Sequence, residues 1–171
     1  MKIIANIVAI SSLLFYCGGM FSKTTGKTLI FFAIGDFVYE LSYVLLNDFV
    51  TASSFILGIF VSACLGYLGI KNKKTPIFVY VLFELLEIAS FIIFYTSPLE
   101  YLVLIANFVY VFFACLNNKV LFDYSVLVFA ICLLVYNILI GFVLGIVIEA
   151  VMLITTLIEI ILAYRSKKLQ K

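Results

Sequence analysis

At 171 residues, 66% hydrophobic and 12% charged, with a mean hydropathy of +1.29, the chain is too oily for a soluble domain, which runs nearer about 45–50% apolar and about 25% charged. It holds no His, so a Ser–His–Asp triad and a His-ligated metal are excluded; its cysteines (Cys17, Cys64, Cys115, Cys132) stand singly without CxxC spacing, which excludes a clustered-thiol zinc or redox site. The net charge of +2 says little about partners, and no cofactor, metal or nucleic acid is expected.

Polar punctuation cuts the chain into hydrophobic runs of about the length that spans a bilayer as a helix. Lys2 and the run 3–21 resemble a signal peptide at first sight, but no small-residue cleavage site follows and more spans do, so this run is the first span. SKTTGK (22–27) leads into 28–46, NDF (47–49) into 49–70, and KNKKTP (71–76) into 77–95. TSPLE (96–100) then leads into 99–116, LNNK (116–119) into 120–139, and the IGF turn (140–142) into 142–164. The expected fold is an all-α integral membrane protein with seven transmembrane helices.

Charge orients these spans. The N-terminus and the loops near 48, 98 and 141 share one side, with Lys2, Asp48 and Glu100. The other side holds Lys23, Lys27, Lys71, Lys73, Lys74, Lys119, Arg165, Lys167, Lys168 and Lys171. Lys and Arg collect in cytoplasmic loops. The expectation is a multi-pass protein of the bacterial cytoplasmic membrane, N-terminus out and C-terminus in.

An internal echo divides the chain further. Residues 43–74 and 136–168 align Tyr43 with Tyr136 and Phe49 with Phe142, and both segments end in a basic cluster. Upstream, IAN-I-V (4–8) echoes IAN-F-V (105–109), matching Asn6 with Asn107. The reading is two parallel three-helix repeats, 1–74 and 97–171, joined by a spacer helix in 75–96. Parallel repeats with a site between them are a transporter architecture.

This 3-1-3 layout resembles the sugar-efflux and PQ-loop superfamily of small transporters, although spans one and five lack the Pro-Gln dipeptide. The C-terminal stretch YNILIGFVLGIVIEAVMLITTLIEIILAYR is more specifically similar to bacterial inner-membrane proteins of the YgjV type. The step Ile148-Glu149-Ala150, the end Tyr164-Arg165 and the basic first loop with Lys23 and Lys27 carry that resemblance. It implies an inner-membrane location and lends no settled activity.

The acids are the most informative residues. Asp48 and Glu100 fall in outer loops and Asp123 near the inner interface, while Asp36, Glu40, Glu84, Glu87, Glu149 and Glu159 lie within spans. An ionisable group at membrane depth costs about 2.5–3.5 kcal/mol on insertion scales and usually faces a bundle interior or cavity. No Lys or Arg lies deep in a span to balance them. Each must be protonated, hydrogen-bonded, hydrated or bound to a cation from outside. Asp36, Glu40, Tyr43 and Asn47 follow at i, i+4, i+7 and i+11, which puts them on one helix face. That face either lines a solute or proton path or is sealed against polar partners for packing. The aligned positions of span six keep only Tyr136, with Asn137 one residue off. Glu149 follows Gly141-Phe142-Val143-Leu144-Gly145, a GxxxG spacing that suits close helix packing. Glu159 is placed to snorkel toward the inner interface. Glu84 and Glu87, on the spacer at i and i+3, face either a subunit interface or a neighbouring helix.

The leading expectation is a small secondary transporter for a small polar solute, proton-linked and not an enzyme. Asn6 and Asn107 supply amides, Tyr43, Tyr136 and Asn137 line the path, and Asp36, Glu40 and Glu149 supply protonatable acceptors. The alternatives are a membrane-embedded binding subunit with an energising partner, or a non-transporting scaffold. The lipid bilayer is the expected partner, and the narrow bundle leaves room for a homodimer.

Overall fold

The computed structural model describes residues 2–45, 49–95 and 97–169, with side chains apart from those at 2, 43, 49–55, 57, 90, 94, 140 and 166–169. They form helices α1 (Lys2–Met20), α2 (Thr25–Leu45), α3 (Phe49–Ile70), α4 (Ile77–Phe94), α5 (Glu100–Cys115), α6 (Lys119–Ile140) and α7 (Val143–Leu169), with no strand among the described residues. The helix ends fall within a few residues of the hydrophobic runs. The exception is α7, which continues past Tyr164-Arg165 because RSKKL contains neither Gly nor Pro to stop it. Among the described residues, three helices are long and apolar enough to cross a membrane outright: α1 over Ile3–Met20, α6 over Lys119–Leu139 and α7 over Val143–Arg165.

Local chemistry sets the turns. Pro76 precedes α4 with φ −63°, a position where its missing N–H costs nothing. The Asn118 side chain caps α6 by accepting from the Leu121 N–H at 3.3 Å, as an N-cap residue does. Asn72 and Asn117 take positive φ in the turns after α3 and α5, a region that Asn tolerates.

The Gly141–Gly145 spacing is not the helix seam that GxxxG suggests. Gly141 lies beyond the end of α6 with φ 73°, and no heavy atom would lie within 4 Å of a Cβ there. The Phe142 N–H reaches back to the Asn137 carbonyl at 2.9 Å, closing the helix as a left-handed C-cap does. Gly145 faces Phe142 and Asn137 of its own hairpin.

The close backbone approach is instead between α2 and α3. A Cβ at Gly26 would come within 2.5 Å of the Ile70 nitrogen, and one at Gly69 within 2.8 Å of the Gly26 Cα. Small residues let helix backbones meet in this way. Gly26→Ala is therefore expected to destabilise the bundle by about 1–3 kcal/mol, because backbone cannot step aside. Gly58→Ala, where the space is open, is expected to be neutral or to stabilise by about 0.5–1 kcal/mol. Thermal unfolding of both variants in detergent separates packing from helix propensity.

Helix α2 packs between α1 and α3, and α6 between α5 and α7. The two trios meet more sparsely, α1 on α7 and α3 on α5, while α4 leans on α5 and only lightly on α3. Met20, Leu29, Val61, Phe122, Val126 and Ile148 are buried where the helices meet. Aromatic rings run through this core from α1 to α5: Tyr16–Phe32 at 5.7 Å, Phe32–Phe122 at 6.2 Å and Phe122–Tyr110 at 5.3 Å between centroids. These tilted and edge-on pairs are the geometry that ring quadrupoles favour. Outward faces carry Ile7, Leu14, Phe37, Ile92 and Ile154 well exposed, surface that suits hydrocarbon and not water.

Candidate functional site

Asp36 lies midway along α2, one residue after Gly35. A Cβ at Gly35 would fall 2.8 Å from the Tyr16 ring, so the missing side chain makes the slot in which Tyr16 of α1 lies. From there the Tyr16 hydroxyl donates to Asp36 Oδ1 at 2.7 Å. The edge-on Phe32 ring holds Tyr16 from the side. Glu149 approaches from α7 and is within electrostatic reach of both Asp36 and Tyr16. Tyr110 of α5 also senses Asp36, and its hydroxyl lies 3.3 Å from Ser62 Oγ of α3. Five helices thus each send one polar group toward the junction of the trios: Tyr16, Asp36, Ser62, Tyr110 and Glu149. Glu40, one turn further along the same face of α2, is buried.

The other expected residues divide. Asn137 is buried beside Gly145, which lies one turn from Glu149 on α7, so it stands at the edge of the cluster. Tyr136 is half-buried and its charged neighbour is Glu100, at the start of α5. Asn107 is not with Asp36: its Nδ2 donates to Glu87 Oε2 of α4 at 3.1 Å. Asn6 is exposed, ten residues or about 15 Å of helix from Tyr16. The Tyr43 side chain, Asn47 and Asp48 lie outside the described residues.

Of the two surroundings open to the spacer acids, the structure gives the neighbouring helix. Glu87 is held by Asn107 of α5. Glu84 is only 7% exposed, and neither of its carboxylate oxygens completes a well-formed hydrogen bond among the described residues, although Tyr80 lies beside it. Asp123, near the N-terminal end of α6, pairs with Lys119.

A family model of bacterial inner membrane proteins matches residues 3–167, nearly the whole chain. The chain belongs to the Imp-YgjV family. No curated protein and no solved structure matches it. The apolar outer faces of this Imp-YgjV chain accordingly contact the lipid of the bacterial inner membrane.

Sequence reasoning missed Tyr16, Ser62 and Tyr110. Tyrosine and serine are common in helices that bury nothing functional, so residue type carried no signal. Gly35 did carry one, since a small residue beside an intramembrane acid leaves room for a partner. Together the cluster offers two carboxyls and three hydroxyls. Among the described residues, no cation appears among the charges that act on Asp36 or Glu149. Such a set accepts hydrogen bonds from hydroxyl or amine groups and, among the described residues, offers no positive charge to an anion.

Proposed function

We propose that this Imp-YgjV chain is a small secondary transporter for a cationic or hydroxyl-rich solute, proton-linked and not an enzyme. In this reading all seven helices span the membrane, N-terminus out and C-terminus in. The trios α1–α3 and α5–α7 act as parallel halves with α4 as spacer. The solute sits between them, against Asp36, Tyr16, Tyr110 and Glu149. The observation that carries the reading is the Tyr16-held carboxyl of Asp36 in reach of Glu149 across the α1–α7 contact. Acids of this kind, facing an interior, mark solute and proton paths. The sparser contact between the trios suits rocking of one half against the other around a fixed site.

The test is flux. Purified protein in vesicles loaded with a pH dye is offered a panel of amines, polyamines, sugars and polyols. A solute of the expected class moves protons with it, and also protects Asp36 and Glu149 from a hydrophobic carbodiimide that attacks protonated carboxyls. If no solute in the panel does either, the transporter reading fails. Protection without flux, together with co-purification of an ATPase module, would move the protein to a binding subunit.

A further inference from the structure

The light contact between α3 and α4 leaves a groove of about 530 Å³. Phe60, Ala63, Tyr67 and Leu68 form one wall, and Leu82 and Phe83 the other. Its α3 wall runs from Phe60 to Leu68, about 12 Å of helix. Among the described residues no carboxylate lines it; Glu84 lies beside Tyr80 and within electrostatic reach of Cys115 of α5. One end lies at Tyr67 and Leu68, just before the turn KNKKTP that joins the two helices. Lys71, Lys73 and Lys74 in that turn are all exposed. Lys71 Nζ already stands over the Tyr67 ring, 5.9 Å from its centroid, so one ammonium is poised at the mouth of the groove. From Phe49 to Phe83 the chain contains no acid at all.

We propose that this groove binds one anionic phospholipid, with an acyl chain between α3 and α4 and the phosphate against Lys71, Lys73 and Lys74. An apolar slot ending in uncompensated cations has the two-part chemistry of such a lipid, and basic pockets between membrane helices hold anionic headgroups. A second copy of this chain is the poorer occupant. A two-fold interface is self-complementary, so pairing through this face would bring two lysine turns together. Zwitterionic lipid would leave the three charges unanswered. The site is separate from the Asp36 cluster and does not depend on the transport reading.

Native mass spectrometry of the full chain tests it, with phosphatidylglycerol and phosphatidylcholine of identical acyl chains. One phosphatidylglycerol is expected to stay bound where phosphatidylcholine leaves. Lys71→Gln, Lys73→Gln and Lys74→Gln together should weaken it on the order of a hundredfold, at about fivefold per charge. Arg165→Gln, an exposed cation near the end of α7 in the other trio, should leave it unchanged. Ala63→Phe, which fills the groove, should remove the adduct while the circular dichroism spectrum stays helical. Equal retention of the two lipids, or a triple variant that binds like the wild type, overturns the proposal. So does displacement by inorganic phosphate, which would mean a free-anion site. A dimer that Ala63→Phe splits would assign the groove to a second copy.

Discussion

Asp36→Asn is expected to reduce solute-driven proton movement to the protein-free background while the bundle stays folded. Asparagine has nearly the same shape, and its amide oxygen still accepts the Tyr16 hydroxyl that lies 2.7 Å from Oδ1. What it loses is a group that gains and releases a proton. Tyr16→Phe makes the opposite cut: the carboxyl stays and its donor goes. Its cost to stability reports the state of Asp36, about 0.5–1.5 kcal/mol for a neutral acceptor and about 1.5–3 kcal/mol for a charged one. In the Asp36→Asn background the same tyrosine substitution should cost only the neutral amount, a comparison that a double-mutant cycle isolates. Unfolding in micelles gives the stabilities, and dye-loaded vesicles give the flux. Wild-type flux in Asp36→Asn would remove this carboxyl from the transport path, whatever its hydrogen bond is worth.

How much of this could be read in advance varied with the physics of each residue. Helix limits were legible because each turn carries Lys, Asn, Pro or Gly in an otherwise oily chain. The α7 end was not, since SKK reads as a loop by charge although nothing in it breaks a helix. Asp36 and Glu149 stood out because an acid in an apolar run demands a reason. Their partner Tyr16 did not, because a tyrosine there equally suits an interface anchor. The paired IAN words misled for a structural reason. Helix α4 lies against α5 and gives Asn107 the carboxylate of Glu87, while Asn6 on α1 faces outward. The same three letters therefore meet different surroundings. The GFVLG spacing misled although Gly141 falls in the IGF turn: a glycine there closes α6 with a positive φ and so packs against no neighbouring helix.

Asp123→Ala is expected to be among the most damaging single substitutions, at about 3–5 kcal/mol, because it strands a charge in the interior. The Lys119 and Asp123 side chains are 17% and 5% exposed. Lys119 also donates to the Met20 carbonyl at 3.3 Å, where the last turn of α1 has carbonyls to spare. Glu159 of α7 acts on Asp123 as a like charge. One ammonium thus ties the C-terminal end of α1 to the N-terminal end of α6 and offsets an acid of α7. Removing Asp123 leaves Lys119 with the Met20 carbonyl, and Lys119→Met alone leaves the like charges of Asp123 and Glu159 without that ammonium. Lys119→Met with Asp123→Leu should recover most of the loss, since matched apolar residues replace a buried pair at little net cost. Denaturant unfolding of the three variants in detergent checks the order. If Asp123→Ala unfolds within about 0.5 kcal/mol of wild type, as an exposed substitution would, water must reach the pair. The double variant then carries a functional consequence. The pair sits at the C-terminal end of α1, where the trios would part in the proposed transport cycle. A double variant as stable as the wild type but altered in flux would make the pair part of the gate. Unaltered flux would leave it as a tie between helices and nothing more.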